Sequence, residues 1–393
     1  MPRRSTLAAA VLLLASPALA GCTSGSSDER PRADEPGEKA PAAEPVTVTT
    51  NVGKRAVAVD TMLRVRAEHG TLRSVDVRSE AGRLAGDVAA DGRSWRATER
   101  LEPGTRYRVR SVAQHADGQR VVRTTAFTTE DLTLDEQTFA AVAPLDGETV
   151  GVGMPVIVTF DVPVTDRASM QRHMSVTSTP RQPGTWHWVD DREAHWRPRS
   201  YWRPGTEVSV DLAINSVDAG NGIYGQEDRH VEFEIGDAVV SKVDVAAHRM
   251  RVFVNGELAR TIPISAGKPG WETRSGTKVI MEKFERKRMN AETIGVDRDD
   301  PEHYDLANVK YAMRVTHSGE FLHAAPWSAG AQGSANVSHG CVGMSVADAA
   351  WIFGVSKRGD VVEVTGSDRR MTLYNGYGDW NAPFSEYAEK SAL

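Results

Sequence analysis

The chain has 393 residues, 40% of them hydrophobic, 25% charged and 7% aromatic, the balance of a globular protein with more residues than one ordinary core organises, so two to four domains are expected. Its 34 glycines and 19 prolines favour strands and turns over long helices. A formal charge of -6, with no long Lys/Arg run and no aromatics interleaved among basic residues, argues against nucleic acid as a partner.

At the N-terminus, Arg3-Arg4 precede an apolar stretch at residues 7–15 that is too short to span a bilayer, and Leu19-Ala20-Gly21-Cys22 follows. Residues 1–21 read as a secretion signal. The last four of these positions resemble a bacterial lipobox, which implies cleavage before Cys22 and acylation of its thiol, so that lipid at Cys22 tethers the chain to a membrane. Residues 22–45 are rich in Ser, Pro, Glu, Asp and Ala and carry almost nothing large and apolar; they cannot repay the entropy of folding and read as a flexible tether. The chain has only two cysteines. If Cys22 carries lipid, Cys341 is an unpaired thiol in an oxidising setting, where the best reason to keep one is chemical work.

An internal repeat comes next. Trp95-Arg96 followed by Glu102-Pro103-Gly104-Thr105 recurs as Trp196-Arg197 followed by Arg203-Pro204-Gly205-Thr206, each copy leading from a Pro-Gly turn into an alternating polar/apolar strand. Two antiparallel sandwiches are expected, at 46–133 and 134–237. Residues 186–196 hold two histidines and three acids, but the histidine spacing fits no common ligand pattern. Two strands joined by an Asp190-Asp191 turn account for them, with the tryptophans free to cover a domain interface.

From about residue 238 the texture changes to short strands, with Asn255-Gly256 as a strong hairpin signal. After Cys341, Ser345-Val346-Ala347-Asp348 starts a helix that runs through Trp351 and Phe353 and stops near Gly354, and a strand resumes over residues 361–364. Cys341 is thereby expected in a loop between a sheet and a helix. This domain is bounded at 238–366, with residues 367–393 as an extension packing on it.

A thiolate, not a thiol, is the nucleophile, so Cys341 needs a base or a positive field. His339 lies two positions away and His323 must arrive by folding; spacing does not choose between them. Gly340 permits unusual dihedrals, and successive amides of His339, Gly340 and Cys341 can face a developing oxyanion, the requirement of acyl transfer.

The stretches Phe321-Leu322-His323-Ala324-Ala325-Pro326-Trp327, Gly330-Ala331-Gln332-Gly333, Ser338-His339-Gly340-Cys341, Lys357-Arg358-Gly359-Asp360 and Gly378-Asp379-Trp380-Asn381 strongly resemble the L,D-transpeptidase (YkuD-type) catalytic domain, and the two repeats look like the bacterial immunoglobulin-like domains that precede it in lipoprotein members. The resemblance implies a mainly β chain: two immunoglobulin-like sandwiches, then a β-rich catalytic domain with a short helix after the nucleophile loop. It implies that Cys341 attacks a peptidoglycan tetrapeptide donor with loss of D-Ala, and that a neighbouring stem's side-chain amine resolves the acyl-enzyme into a 3→3 cross-link. His323 is then the general base, oriented by the main chain of Ala324; Ser338 and His339 shape the nucleophile loop; and Tyr304, Trp327, Ser338 and Gly343 line the donor site. Carbapenem inhibition and a wall-facing, extracytoplasmic location follow, with no cofactor and no metal. The same site would serve as an L,D-carboxypeptidase if water resolved the acyl-enzyme, and a degenerate site would leave a wall-binding lipoprotein. Two positions depart from the pattern: Gly343 stands where the motif ends in Asn or Arg, which is expected to loosen the loop or alter donor binding, and Ala324 stands where Ser is common.

Overall fold

The computed structural model describes residues 44–393, and the signal, Cys22 and nearly all of the tether lie outside the described residues. Strands dominate, with three short α-helices among the described residues, as the glycine and proline content foretells. In the first sandwich a four-stranded sheet (Thr47–Thr50, Arg64–Glu68, Ser94–Ala97, Gly86–Val88) packs with a three-stranded one (Thr71–Arg78, Arg106–Gln114, Arg120–Thr128). Alternation drives the packing: along Arg106–Gln114 every second side chain is buried, and Tyr107 and Val109 join Val65, Val77, Trp95 and Phe127 in one core.

The second sandwich repeats the plan. The sheet Gly184–Trp188, Glu193–Pro198, Val156–Phe160, Ala140–Ala143 joins Met174–Thr179, Glu207–Leu212, Arg229–Ile235 and Thr149–Val150 in a shared core. The repeated tryptophans hold equivalent places. A Cβ on Gly86 would meet the Trp95 ring at 2.2 Å, and one on Gly184 would meet the Trp196 ring at 2.3 Å, so in each copy an indole lies on a neighbouring strand's glycine. Strands Gly184–Trp188 and Glu193–Pro198 are the expected hairpin, its turn fastened by the Asp190 carboxylate accepting from the amides of Arg192 and Glu193.

The third domain has a five-stranded sheet in the order Glu257–Pro263, Arg249–Val254, Val239–Asp244, Val361–Thr365, Gly276–Val279, and a four-stranded sheet in the order Glu282–Asn290, Asp305–Arg314, Phe321–Ala324, Val342–Met344. Asn255 and Gly256 both adopt positive φ (50° and 90°), the requirement of a two-residue hairpin turn. Helix Val346–Val355 starts where the sequence places it, with Ser345 Oγ accepting from the Asp348 amide at 3.0 Å, and it packs on Asp305–Arg314 and Phe321–Ala324. It ends one residue past Gly354, where Lys283 Nζ donates to the carbonyls of Phe353 and Ser356.

Two expectations change. The strand Val342–Met344 separates Cys341 from the helix, so the thiol sits at a strand's entrance. The C-terminal segment, expected on the catalytic domain, divides its contacts: Asn381 bonds the main chain of Thr277 in both directions, whereas the Asp379 carboxylate, the Tyr387 carbonyl and the Ser391 hydroxyl meet His195, His187 and Gln171 of the second sandwich. Arg197 of that sandwich lies over the rings of Trp380, Phe384 and Tyr387, which explains the attraction.

Candidate active site

Phe321–Ala324 and Val342–Met344 run parallel, with His323 opposite Gly343, and Cys341 lies two residues before that glycine. His323 and Cys341 therefore open into one cavity of about 270 Å³, whose wall also includes Tyr304, Trp327, Ser338, His339 and Gly343. Of the expected site residues, only Gly340 is turned out of this wall, and Cys22 lies outside the described residues.

The nucleophile loop is held by hydroxyls. Ser338 Oγ donates to the Cys341 carbonyl at 2.6 Å and accepts the Gly340 amide at 3.1 Å, while Thr273 Oγ1 donates to the Gly340 carbonyl at 2.8 Å. Gly340 has φ +117°, a conformation that L side chains rarely adopt, so glycine is required there by the backbone. The expected row of three free amides is corrected: the Gly340 N–H is already committed to Ser338, because the same turn that exposes Cys341 folds that amide back on the hydroxyl.

The thiol is half-buried, with its S–H directed at the Gly319 carbonyl at 3.6 Å. Burial pushes its pKa up to about 12; a main-chain hydrogen bond from Phe321 opposes this, the Glu320 charge adds to it, and Lys278 and Arg314 pull it down. Cys341 thus rests as a neutral thiol. His323 is buried, which lowers its pKa, and its Nδ1 meets the Ala324 carbonyl at 2.8 Å. A carbonyl only accepts, so Nδ1 carries the proton and Nε2 the free lone pair. The Trp327 ring, 57% exposed, stacks beside it at 5.8 Å.

His339 is differently placed. Its Nε2 meets the Glu302 carboxylate at 2.8 Å, and its ring lies between Trp271 and Tyr304, with centroids at 4.9 and 5.0 Å. Lys268 also donates to Glu302, and these two partners hold that carboxyl below its ordinary pKa. Burial and the nearby Cys341 raise the Tyr304 phenol to about 12, so it stays protonated.

Loosening at Gly343 is not what the structure contains. The Gly343 amide and carbonyl exchange hydrogen bonds with Ser265 at 2.8 and 2.9 Å, tying the two sheets together. A Cβ there would stand 2.8 Å from the Ala325 methyl, so Ala325 occupies the space a side chain would take. Sequence reasoning missed Glu302, Lys268, Trp271, Met289 and Leu306; all reach the site from distant strands and loops, and none carries a local signature.

Comparison with known proteins matches residues 238–364 to an L,D-transpeptidase catalytic domain and residues 54–218 to a bacterial Ig domain. L,D-transpeptidase 2 of Mycobacterium tuberculosis is 35% identical over 88% of this chain and 85% of its own length. L,D-transpeptidase 1 of Mycobacterium tuberculosis is 40% identical over 58% of this chain and 84% of its own length. The solved structure of the L,D-transpeptidase LdtMt1 in complex with imipenem superposes with a TM-score of 0.51 at 40% identity, covering 57% of this chain and 98% of that one. With so much of a named relative covered at this identity, the chain belongs to the L,D-transpeptidase family.

Proposed function

We propose that the chain cross-links peptidoglycan stem peptides through a thioester on Cys341, with His323 as the base. The observation that carries this is the pairing, in one cavity, of a neutral thiol with a neutral imidazole whose Nε2 lone pair is free. When a donor tetrapeptide enters, His323 Nε2 takes the thiol proton as Sγ attacks the carbonyl of the diamino acid's L-centre. The imidazolium returns that proton to the leaving amine of D-Ala, and the acyl group stays on sulfur. The side-chain amine of a second stem then attacks the thioester, His323 takes its proton, and a 3→3 peptide bond forms with the thiol restored. The His339 and Cys341 amides are the oxyanion donors left by the engagement of Gly340. His339, bonded to Glu302 and packed between aromatic rings, is a poor second base; it shapes the donor wall with Tyr304 and Trp327.

Incubation with imipenem followed by intact-mass measurement tests the nucleophile. A stoichiometric adduct that disappears in Cys341→Ala is expected, and His323→Gln should slow its formation by roughly 10²–10⁴-fold against a much smaller effect of His339→Gln. Wild type that stays unmodified would overturn the reading. A disaccharide-tetrapeptide donor should yield cross-linked dimers; tripeptide alone would make the protein a carboxypeptidase.

The lipobox-like Leu19-Ala20-Gly21-Cys22 supports a lipid anchor on the outer face of the membrane, with residues 23–45 carrying the folded part toward the wall. No helix among the described residues is long and apolar enough to cross a membrane. Metabolic labelling with an alkyne fatty acid should mark wild type and leave Cys22→Ser unlabelled; equal labelling of both would remove the anchor.

A further inference from the structure

Directly behind the nucleophile loop lies a charge cluster that the reaction above does not use. Glu320, 3% exposed, precedes the strand Phe321–Ala324. Its Oε1 accepts from Arg274 Nη1 at 2.8 Å and from the Arg274 amide at 3.1 Å, and its Oε2 accepts from Lys278 Nζ. Lys278 is 1% exposed, on the strand Gly276–Val279. The Glu320 amide donates to Thr316 Oγ1 at 2.9 Å, so this acid is pinned by both main chain and side chain.

That pinning reaches the sulfur from both sides. The carbonyl before Glu320, on Gly319, receives the Cys341 S–H, and the residue after it, Phe321, supplies the main-chain hydrogen bond that favours the thiolate. The carboxylate lies under the loop itself: a Cβ on Gly340 would stand 3.5 Å from Glu320 Cγ and 3.7 Å from its Oε1. The two cations, Arg274 and Lys278, against the one acid leave a formal charge of +1 beside the thiol. The acid acts against sulfur ionisation, and Lys278 and, from the neighbouring strand, Arg314 act for it. The other titratable groups facing the thiol are His323, Tyr304 and His339, all in the cavity wall. A buried ion cluster is costly unless every member is bonded, and structural stability alone is better supplied by apolar residues of similar volume.

We propose that Arg274, Glu320 and Lys278 are positioning residues for the nucleophile: Glu320 fixes residues 319–321 against Sγ, and the balance between its charge and that of Lys278 sets how readily the sulfur ionises. This rests on Cys341 being the nucleophile, but its test reads the thiol directly and needs no donor.

The measurement is the rate of iodoacetamide alkylation at the Cys341 peptide of the full chain, by mass spectrometry, at fixed pH between about 7 and 9. Below the thiol pKa that rate follows the thiolate fraction, which changes about tenfold when the pKa moves by one. Glu320→Gln is expected to alkylate roughly threefold to tenfold faster than wild type, and Lys278→Met slower by a similar factor. The double variant removes both charges together, keeps the cluster at its wild-type formal charge of +1 on Arg274, and should return toward the wild-type rate. A purely structural role predicts changes of one sign in both single variants and no recovery in the double, and that outcome would overturn the proposal. If Lys278→Met does not fold, Glu320→Gln still decides: a rate equal to or below wild type in a folded protein sinks the idea. Failure of imipenem to acylate wild type would instead remove the nucleophile reading and leave these rates interpretable.

Discussion

The two sandwiches share a plan and differ in how each is joined to its neighbour along the chain. The first closes its own core and reaches the second through polar links: Leu101 and Glu102 accept from Ser216 Oγ and Asn215 Nδ2 at 2.7 and 2.6 Å, and Arg100 Nη2 meets His173 Nε2 at 3.0 Å, beside a cleft of about 510 Å³. The second shares its core with the catalytic domain, because Val361 of the catalytic sheet is buried among its apolar residues. Main chain meets main chain along that seam: Gly151 and Gly153 donate to the Arg358 and Gly359 carbonyls at 2.8 Å, and a Cβ on Gly151 would meet the Asp360 amide nitrogen at 2.2 Å. Repeats built alike thus serve unlike ends. One keeps a core of its own behind polar links; the other shares its core with the catalytic sheet.

The strongest way to break this contrast is to damage each sandwich at its repeated tryptophan. Trp95→Ala and Trp196→Ala each remove a buried indole seated on a glycine, at a cost of about 3–5 kcal/mol to the body that contains it. Trp196 also stacks on Trp202 with centroids 5.4 Å apart. Calorimetry with imipenem acylation followed alongside should show Trp95→Ala lowering one transition while acylation holds its wild-type midpoint. Trp196→Ala should lower the transition that carries acylation with it. If both variants shift the same single transition, residues 45–393 melt as one unit and the contrast is lost.

Much of this was legible in the sequence because the signals were local. The repeat, the Asn255-Gly256 turn, the Ser345 cap and the His-Gly-Cys loop each depend on residues a few positions apart, and each occurs where those residues place it. What stayed hidden depends on distant side chains meeting. Gly86 and Gly184 look like ordinary turn formers until an indole is found on each. Glu302, the partner of His339, and Glu320, behind the thiol, look like surface acids in a polar stretch; Lys268 and His339 give the first its meaning, and burial against Arg274 and Lys278 gives the second its own. The choice between His323 and His339 had the same limit, since only folding reveals which ring nitrogen is already spent.

Acidity and alkalinity offer a gentler probe of the same contrast, because the second sandwich has a buried ion pair at its seam. His195 Nδ1 meets Asp379 Oδ1 at 2.8 Å and its Nε2 meets Glu193 Oε1 at 2.9 Å, with the Tyr387 hydroxyl donating to the same Asp379 oxygen at 2.7 Å. Burial opposes charge on His195, but the carboxylates outweigh it and raise its pKa from 6.5 to about 10; burial likewise opposes charge on Asp379, and His195 outweighs it, holding the carboxyl below 3.8. A raised histidine contributes stability that is full below its unfolded value and lost as pH climbs through the folded one, so its share declines between about pH 6.5 and 10. Asp379, being lowered, acts at the other end: its share is present above pH 3.8 and lost as pH falls. From pH 7 to 10 the transition of the second sandwich and catalytic domain should therefore weaken by something on the order of 2–4 kcal/mol, while that of the first sandwich stays level. Asp379→Asn should start lower at pH 7 and show a flatter slope, since the neutral amide no longer sustains the charge on His195. Thermal melts of wild type and Asp379→Asn across that range check both points, and parallel slopes for the two transitions would place the ion pair outside the seam's energetics.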